Sequence, residues 1–230
     1  FRSYVVKEKK VKKKFSTFIL DFYNSHGRDF PWRQTKNPYK ILLTEILLRR
    51  TTSIQVNSIY KEFFDQYPTI KSLSLAKKED LETVIKCLGL SKQRSVQMIR
   101  LANVIMEQHG GVIPKSYDEL IELPAVGMYT AGGFLCLAGG VNVSMVDTNV
   151  VRVVSRYFNF KSTKTESWTD KKLWKFVKDL IPKGKCREFN LGIIDFANAI
   201  CIPKKPRCDV CKLNNECYYF KNSKILGNNN

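Results

Sequence analysis

The sequence predicts an all-α fold, and three observations lead there. Apolar residues recur at three- and four-residue intervals along most of the 230-residue chain, the spacing that gathers them on one face of a helix. Segments with that pattern tend to open at Ser or Asn and to stop at Gly, residues that cap helices. Alternating strand-like runs joined by hairpin turns are scarce, and there is no internal repeat.

The elements follow in order. Asn37 and Pro38 supply an N-cap and a first-turn proline, starting a helix that runs towards Arg50. Ile54, Ile59, Phe63 and Phe64 continue an apolar face at helical spacing. Ser74 precedes LAKKEDLETVIKCLGL, where Leu81, Val84, Ile85 and Leu88 line one side and Gly89 reads as a C-cap. From Gln93 to His109, Met98, Leu101, Ala102 and Ile105 form another face, stopped by Gly110 and Gly111. Ser116 opens YDELIEL, and Val150 to Tyr157 and Lys171 to Ile181 complete the series.

With 43% apolar and 12% aromatic residues, the chain can build a real core as one large domain or two intimate ones. No apolar run is long enough to span a bilayer and no signal peptide opens the sequence, so an intracellular protein is expected. The net charge of +18, from 39 basic and 21 acidic residues, attracts a polyanion and steers it from a distance. Anionic membranes exert the same pull. No long basic helix with an aromatic face is present to lie on one, which leaves nucleic acid as the expected partner. Six of the lysines fall between Lys7 and Lys14, either a solvated, poorly ordered arm or one that contacts nucleic acid.

Seven cysteines without a secretion signal point to a reducing compartment and no disulfides. Cys87, Cys136 and Cys186 are scattered and read as small packing residues. Cys201, Cys208, Cys211 and Cys217 instead follow C-x6-C-x2-C-x5-C. Four thiolates so close in sequence satisfy a tetrahedral zinc or a [4Fe-4S] cluster equally well.

Three further features invite chemistry. Glu45 lies in KILLTEILLRRTT, a segment almost wholly apolar up to Arg49 and Arg50. It is either tied off by an i,i+4 ion pair with Arg49 or kept for a reaction. An exposed pair of that kind contributes only about 0.3–0.5 kcal/mol, little against burying a carboxylate among leucines. In LPAVGMYTAGGFLCLAGG, residues 123–140, a short helix enters a tight turn and a helix rich in small residues leaves it. The N–H groups at that second helix start suit a phosphate, unless the turn is only a connection. In MVDTNVVRVVSRYF, residues 145–158, Asp147 sits at an expected N-cap, a sufficient structural reason for it.

Together these stretches resemble the HhH-GPD superfamily of DNA glycosylases, from about Phe15 to Phe220. The first is similar to the family's helix-hairpin-helix, whose turn usually reads Leu-Pro-Gly-Val-Gly; here Ala125 replaces the first hairpin glycine. If that position needs positive φ, Ala125 strains the turn. The family's essential carboxylate falls just beyond the hairpin within Val-Asp-x-Asn/His, which implies that role for Asp147, held rigidly as positive charge develops on the sugar. The cysteine spacing matches endonuclease III and MutY-type enzymes, implying a [4Fe-4S] cluster over zinc. The loop with Lys204, Lys205 and Arg207 then lies against the DNA backbone. The resemblance also implies two helical domains with the active site in the cleft between them. One is a six-helix barrel over residues 31–141, with the helix-hairpin-helix at about 116–138. The other is a helical iron–sulfur cluster domain from residues 1–30 plus 142–230.

Branch-specific positions narrow the activity. Endonuclease III carries a lysine two residues beyond the hairpin's last glycine, whose amine forms a Schiff base and nicks the strand. Tyr129 stands there in this chain, which implies a glycosylase without lyase activity. MutY-like adenine glycosylases share Tyr129, Asp147, Asn149 and a glutamate matching Glu45, which in them protonates the departing adenine. They differ where this chain has Arg49-Arg50-Thr51-Thr52 and GLSKQR, and they carry an additional domain that reads oxidised guanine, absent from this sequence. Those two stretches and the short C-terminus look like Mig-type mismatch glycosylases, which remove thymine or uracil opposite guanine.

The resemblance thus implies a catalytic set of Asp147, Glu45, Tyr129 and Asn149. DNA contacts are implied for the backbone amides from Val126 through Gly127 to Tyr129, and for Lys204, Lys205 and Arg207. Leu47 to Thr52 and Leu90 to Arg94, with Arg49, Arg50, Thr51 and Gln93 among them, would fill the gap and meet the orphaned guanine. The expected partner is mismatched double-stranded DNA, bound by a monomer inside a prokaryotic cell. An adenine glycosylase and a non-catalytic DNA-binding iron–sulfur module are the alternatives.

Overall fold

The structure, a computed structural model, describes residues 2–227, with side chains described for residues 9–222. Every regular element among the described residues is a helix, in agreement with the all-α expectation. They are α1 (Arg2–His26), α2 (Pro31–Gln34), α3 (Pro38–Leu47), α4 (Ser53–Gln66), α5 (Ile70–Ser74), α6 (Lys78–Val84) and α7 (Ser91–His109). After them come α8 (Tyr117–Glu122), α9 (Met128–Gly139), α10 (Thr148–Phe158), α11 (Lys171–Leu180), α12 (Cys186–Ala199) and α13 (Tyr218–Gly227). The chain divides into two compact units, Asp29–Gly139 and the residues up to Arg28 together with those from Gly140 onward.

The Asp29–Gly139 unit is built around α3. Asn37 caps it by accepting the Lys40 N–H, and Tyr39 and all residues from Ile41 to Leu47 are buried. A helix this apolar on all sides has to be enclosed. Helix α9, whose buried stretch includes the small residues Ala131, Gly132 and Gly133, packs against it. The helix ends at Leu47, short of the expected Arg50, whose φ of 52° is not helical, and the Arg94 side chain caps that end by donating to the carbonyls of Ile46 and Leu47.

Several other boundaries also differ from the sequence reading. Thr52 opens α4 through a capping box with Gln55. Ile54 is 78% exposed, because the buried face of α4 turns through Val56, Ile59, Tyr60, Phe63 and Phe64 instead. Ser74 ends α5 and does not start the next helix, which begins at Lys78. Cys87 is exposed on a 3-10 turn, Lys86–Leu88, while Leu88 beside it is buried; Cys136 and Cys186 do pack inside.

In the other unit, α1 packs on α12 at close range. A β-carbon at Gly192 would lie 2.8 Å from the Ile19 carbonyl oxygen, so only glycine permits that approach. Phe15 of α1 is fully buried among the rings of Tyr157, Phe158 and Phe189, a burial that contributes about 1.5–3 kcal/mol. The lysine-rich arm is not an irregular tail: its backbone belongs to α1, and Lys14 pairs with Glu216. The Lys7 side chain lies outside the described residues.

Candidate active site and nucleic-acid interface

Asp147 is the N-cap of α10, and both of its carboxylate oxygens are held. Oδ1 accepts the Val150 N–H at 2.9 Å and Oδ2 accepts the Asn149 side-chain amide at 2.7 Å. Asn190 of α12 stiffens the approach to it. Its Oδ1 accepts the Met145 N–H at 2.9 Å, and its Nδ2 donates to the Val143 and Cys186 carbonyls, both at 2.9 Å. The half-buried carboxylate therefore stands on a fixed strut at a helix start, where unsatisfied N–H groups concentrate positive potential.

The same helix reaches the cysteine loop. Arg152 donates to Asn149 Oδ1 at 3.0 Å, to the Cys201 carbonyl at 2.7 Å and to the Ala197 carbonyl at 3.1 Å. Arg156, one turn on, donates to the Ile202 carbonyl at 2.7 Å and approaches the Cys201 sulfur at 3.5 Å. Asn149, Arg152 and Arg156 thus share one face of α10, and a hydrogen-bonded path joins Asp147 to the first cysteine.

Cys201, Cys208, Cys211 and Cys217 line one recess, walled by Val153, Phe196 and Leu213. The buried Tyr157 hydroxyl lines it too and has no hydrogen-bond partner among the described residues. Burial, with the neighbouring thiols adding to it, pushes the Cys211 thiol up to about 11. The four sulfurs are spread around the recess wall: among the described residues no three Cys, His, Asp or Glu side chains close on a single ion position. Lys204, Lys205 and Arg207 in the same loop are exposed.

Glu45 and Tyr129 lie in the Asp29–Gly139 unit. Glu45 is 4% exposed. Arg49, its i,i+4 neighbour, directs a guanidinium N–H to the Ala125 carbonyl at 2.8 Å. Ala125 has φ 62°, the left-handed conformation that glycine would adopt without strain. The Val126 N–H donates to the Leu123 carbonyl at 3.1 Å. The backbone amides that α9 itself leaves open begin after Val126, at its first turn, where half-buried Tyr129 sits.

Arg50 and Gln93 border one pocket, together with Leu90, Arg94 and Gln97. Thr51, expected at the DNA, hydrogen-bonds Gln55 Oε1 at 3.1 Å and so braces its own turn. Gln55 also donates to the Cys87 carbonyl at 2.9 Å, tying that turn to the one before Leu90. Sequence reasoning had Arg94 only as the end of the Leu90–Arg94 stretch at the DNA, and it missed Gln55, Arg152 and Asn190 altogether. Only Arg152 left a trace, its three-residue spacing from Asn149 on the motif helix.

A family model described as HhH-GPD superfamily base excision DNA repair protein matches residues 43–179. The chain is 44% identical over 212 residues to the thymine/uracil-DNA glycosylase of Methanothermobacter thermautotrophicus, spanning 92% of this chain and 96% of that protein. It is 32% identical over 204 residues to an adenine DNA glycosylase of Buchnera aphidicola subsp. Acyrthosiphon pisum, spanning 88% of this chain and 58% of that one. Among solved structures, a thermostable thymine-DNA glycosylase matches with a TM-score of 0.90 at 43% identity, over 94% of this chain and 99% of that one.

Proposed function

The chain belongs to the HhH-GPD superfamily of base excision DNA repair proteins, and from that premise we propose that it is a DNA glycosylase hydrolysing the N-glycosidic bond of thymine or uracil mispaired with guanine. The observation that carries this reading is Asp147, a carboxylate with both oxygens fixed at the start of a helix.

The mismatched base flips out of the stack, which costs less than flipping a well-paired one. As the bond from the sugar to the base breaks, the electron pair leaves with the pyrimidine and positive charge grows on the sugar. Asp147 stabilises that oxocarbenium-like centre. The departing pyrimidine carries its charge on O2 and N1, where hydrogen bonds stabilise it. Glu45 orients the attacking water and receives its proton, and Tyr129 and Asn149 hold the carboxylate and the water in place. Tyr129 has no amine to form a Schiff base, so the product is an intact abasic site.

The DNA backbone rests on the amides at the start of α9 from Gly127 onward and on Lys204, Lys205 and Arg207. Arg50 and Gln93 meet the guanine left behind. Arg49, one N–H already held by Ala125, supports the hairpin. The substrate is the cell's own DNA, which places the work inside the cell. The donor set, the recess and the orphaned Tyr157 hydroxyl fit a [4Fe-4S] cluster held by Cys201, Cys208, Cys211 and Cys217. When bound, such a group supplies a compact core tied covalently to four points of the loop.

Labelled duplexes carrying one T·G, U·G, A·G or A·oxidised-G pair, incubated with the protein and then treated with alkali, test the proposal. Alkali-dependent cleavage of the T and U strands, lost in Asp147→Asn, is the expected result. Cleavage confined to adenine would instead make Glu45 the acid for a purine leaving group.

A further inference from the structure

We infer that Arg94 is a positioning residue for recognition of the opposite base: it locks the turns carrying Arg50 and Leu90 into one rigid reader. This rests on the mismatch reading above and deepens it. Four backbone carbonyls converge on this one buried guanidinium. Nε donates to the Gly89 oxygen at 3.0 Å, Nη1 to the Ile46 and Leu47 oxygens at 3.2 and 3.4 Å, and Nη2 to the Arg49 oxygen.

Arg49 and Gly89 are the residues immediately before Arg50 and Leu90. Both Arg50 and Leu90 have φ 52°, a left-handed backbone that β-carbons disfavour. Such a conformation persists only where its surroundings over-determine it. The peptide plane whose rotation would relax Arg50 is the plane Arg94 holds through the Arg49 carbonyl. The same is true of Leu90 and the Gly89 carbonyl. One side chain therefore keeps two strained residues strained.

What the strain presents fits the task. Arg50 and Leu90 border the same pocket, alongside Gln93 and Gln97. Leu90 is 57% exposed, an apolar side chain of the kind inserted as a wedge between base steps. No hydrogen bond engages the exposed Arg50 guanidinium among the described residues, and its forked donors match the O6 and N7 acceptors of guanine. Lysine could not replace Arg94, because a single ammonium lacks the planar fork that reaches carbonyls on both turns.

The test is binding of the full chain to duplexes bearing a tetrahydrofuran abasic analogue opposite G, A, C or T, or opposite a spacer without a base. The wild type should prefer guanine. Arg94→Lys should lose roughly five- to a hundredfold of that preference, the range one good base contact is worth, while keeping its affinity for the spacer duplex. Gly89→Ala strains the same turn (φ 74°, with nothing within 4 Å of the added methyl) without removing the guanidinium, and should lose the preference likewise. An equal drop on all five duplexes, or a preference retained in a folded variant, would overturn the inference. So would a wild type with no preference for guanine. Excision is read separately: a wild type that prefers guanine yet releases no thymine or uracil sinks the catalytic reading and leaves the role of Arg94 standing.

Discussion

Replacing Ala125 with glycine should stabilise this protein, the reverse of the usual effect of that substitution in a well-formed turn. Ala125 holds φ 62°, and the left-handed region costs an L-residue roughly 1–2 kcal/mol. Glycine removes that strain but adds about 0.5–1 kcal/mol of chain entropy to the unfolded state. The difference is a gain of roughly 0–1.5 kcal/mol, centred near 0.75 kcal/mol. The bond from Arg49 to the Ala125 carbonyl survives, because the acceptor is backbone. Urea unfolding followed by circular dichroism should show a higher midpoint at an unchanged m-value. The melting temperature should rise by up to about 6 °C, taking roughly 2–4 °C per kcal/mol for a chain of this size. If the two units melt separately, the shift belongs to the transition of the Asp29–Gly139 unit. A midpoint lowered by about 0.5–1 kcal/mol, the ordinary consequence of glycine in an unstrained loop, would refute the strain argument.

Arg152→Ala removes three hydrogen bonds from a half-buried guanidinium. Freeing the Asn149 amide to turn away from Asp147 should slow single-turnover excision by about tenfold, equivalent to roughly 1.4 kcal/mol. Duplex affinity should hold, and Arg152→Lys should recover part of the rate; a parallel loss of binding would argue against the path from Asp147 to the loop. Anaerobically purified protein should carry about four iron and four sulfide per chain and lose both in Cys211→Ser, whereas one zinc per chain without sulfide would replace the cluster with a single ion. The hydroxyl of Ser162, at 2.7 Å, and the Lys172 amide hold the Asp170 carboxyl below the usual carboxylate range. Its contribution is therefore present at neutral pH and lost as pH falls through that lowered pKa, below about 3.9. The stability gap between wild type and Asp170→Asn should close on acidification, and a gap independent of pH would contradict it.

Much of the architecture was written locally. Asn37, Ser116 and Asp147 cap helices through bonds to amides within three residues, so their spacing is readable in the chain. The four cysteines sit within one short run, and the recess they line follows from that closeness. The hairpin was legible too, down to the question of φ at Ala125. What only the tertiary structure decided lies in partners far apart in sequence. Arg94 takes carbonyls 45–48 residues back and so caps the end of α3. Arg49 turns to Ala125, 76 residues on, although Glu45 stands one helical turn away. Asn190 sets the lead into Asp147 by accepting the Met145 N–H, 45 residues back. Capping and helical periodicity are properties of neighbouring residues and show in any sequence that has them. A guanidinium's choice among distant carbonyls is made only after packing has buried it and excluded the water that would otherwise satisfy it.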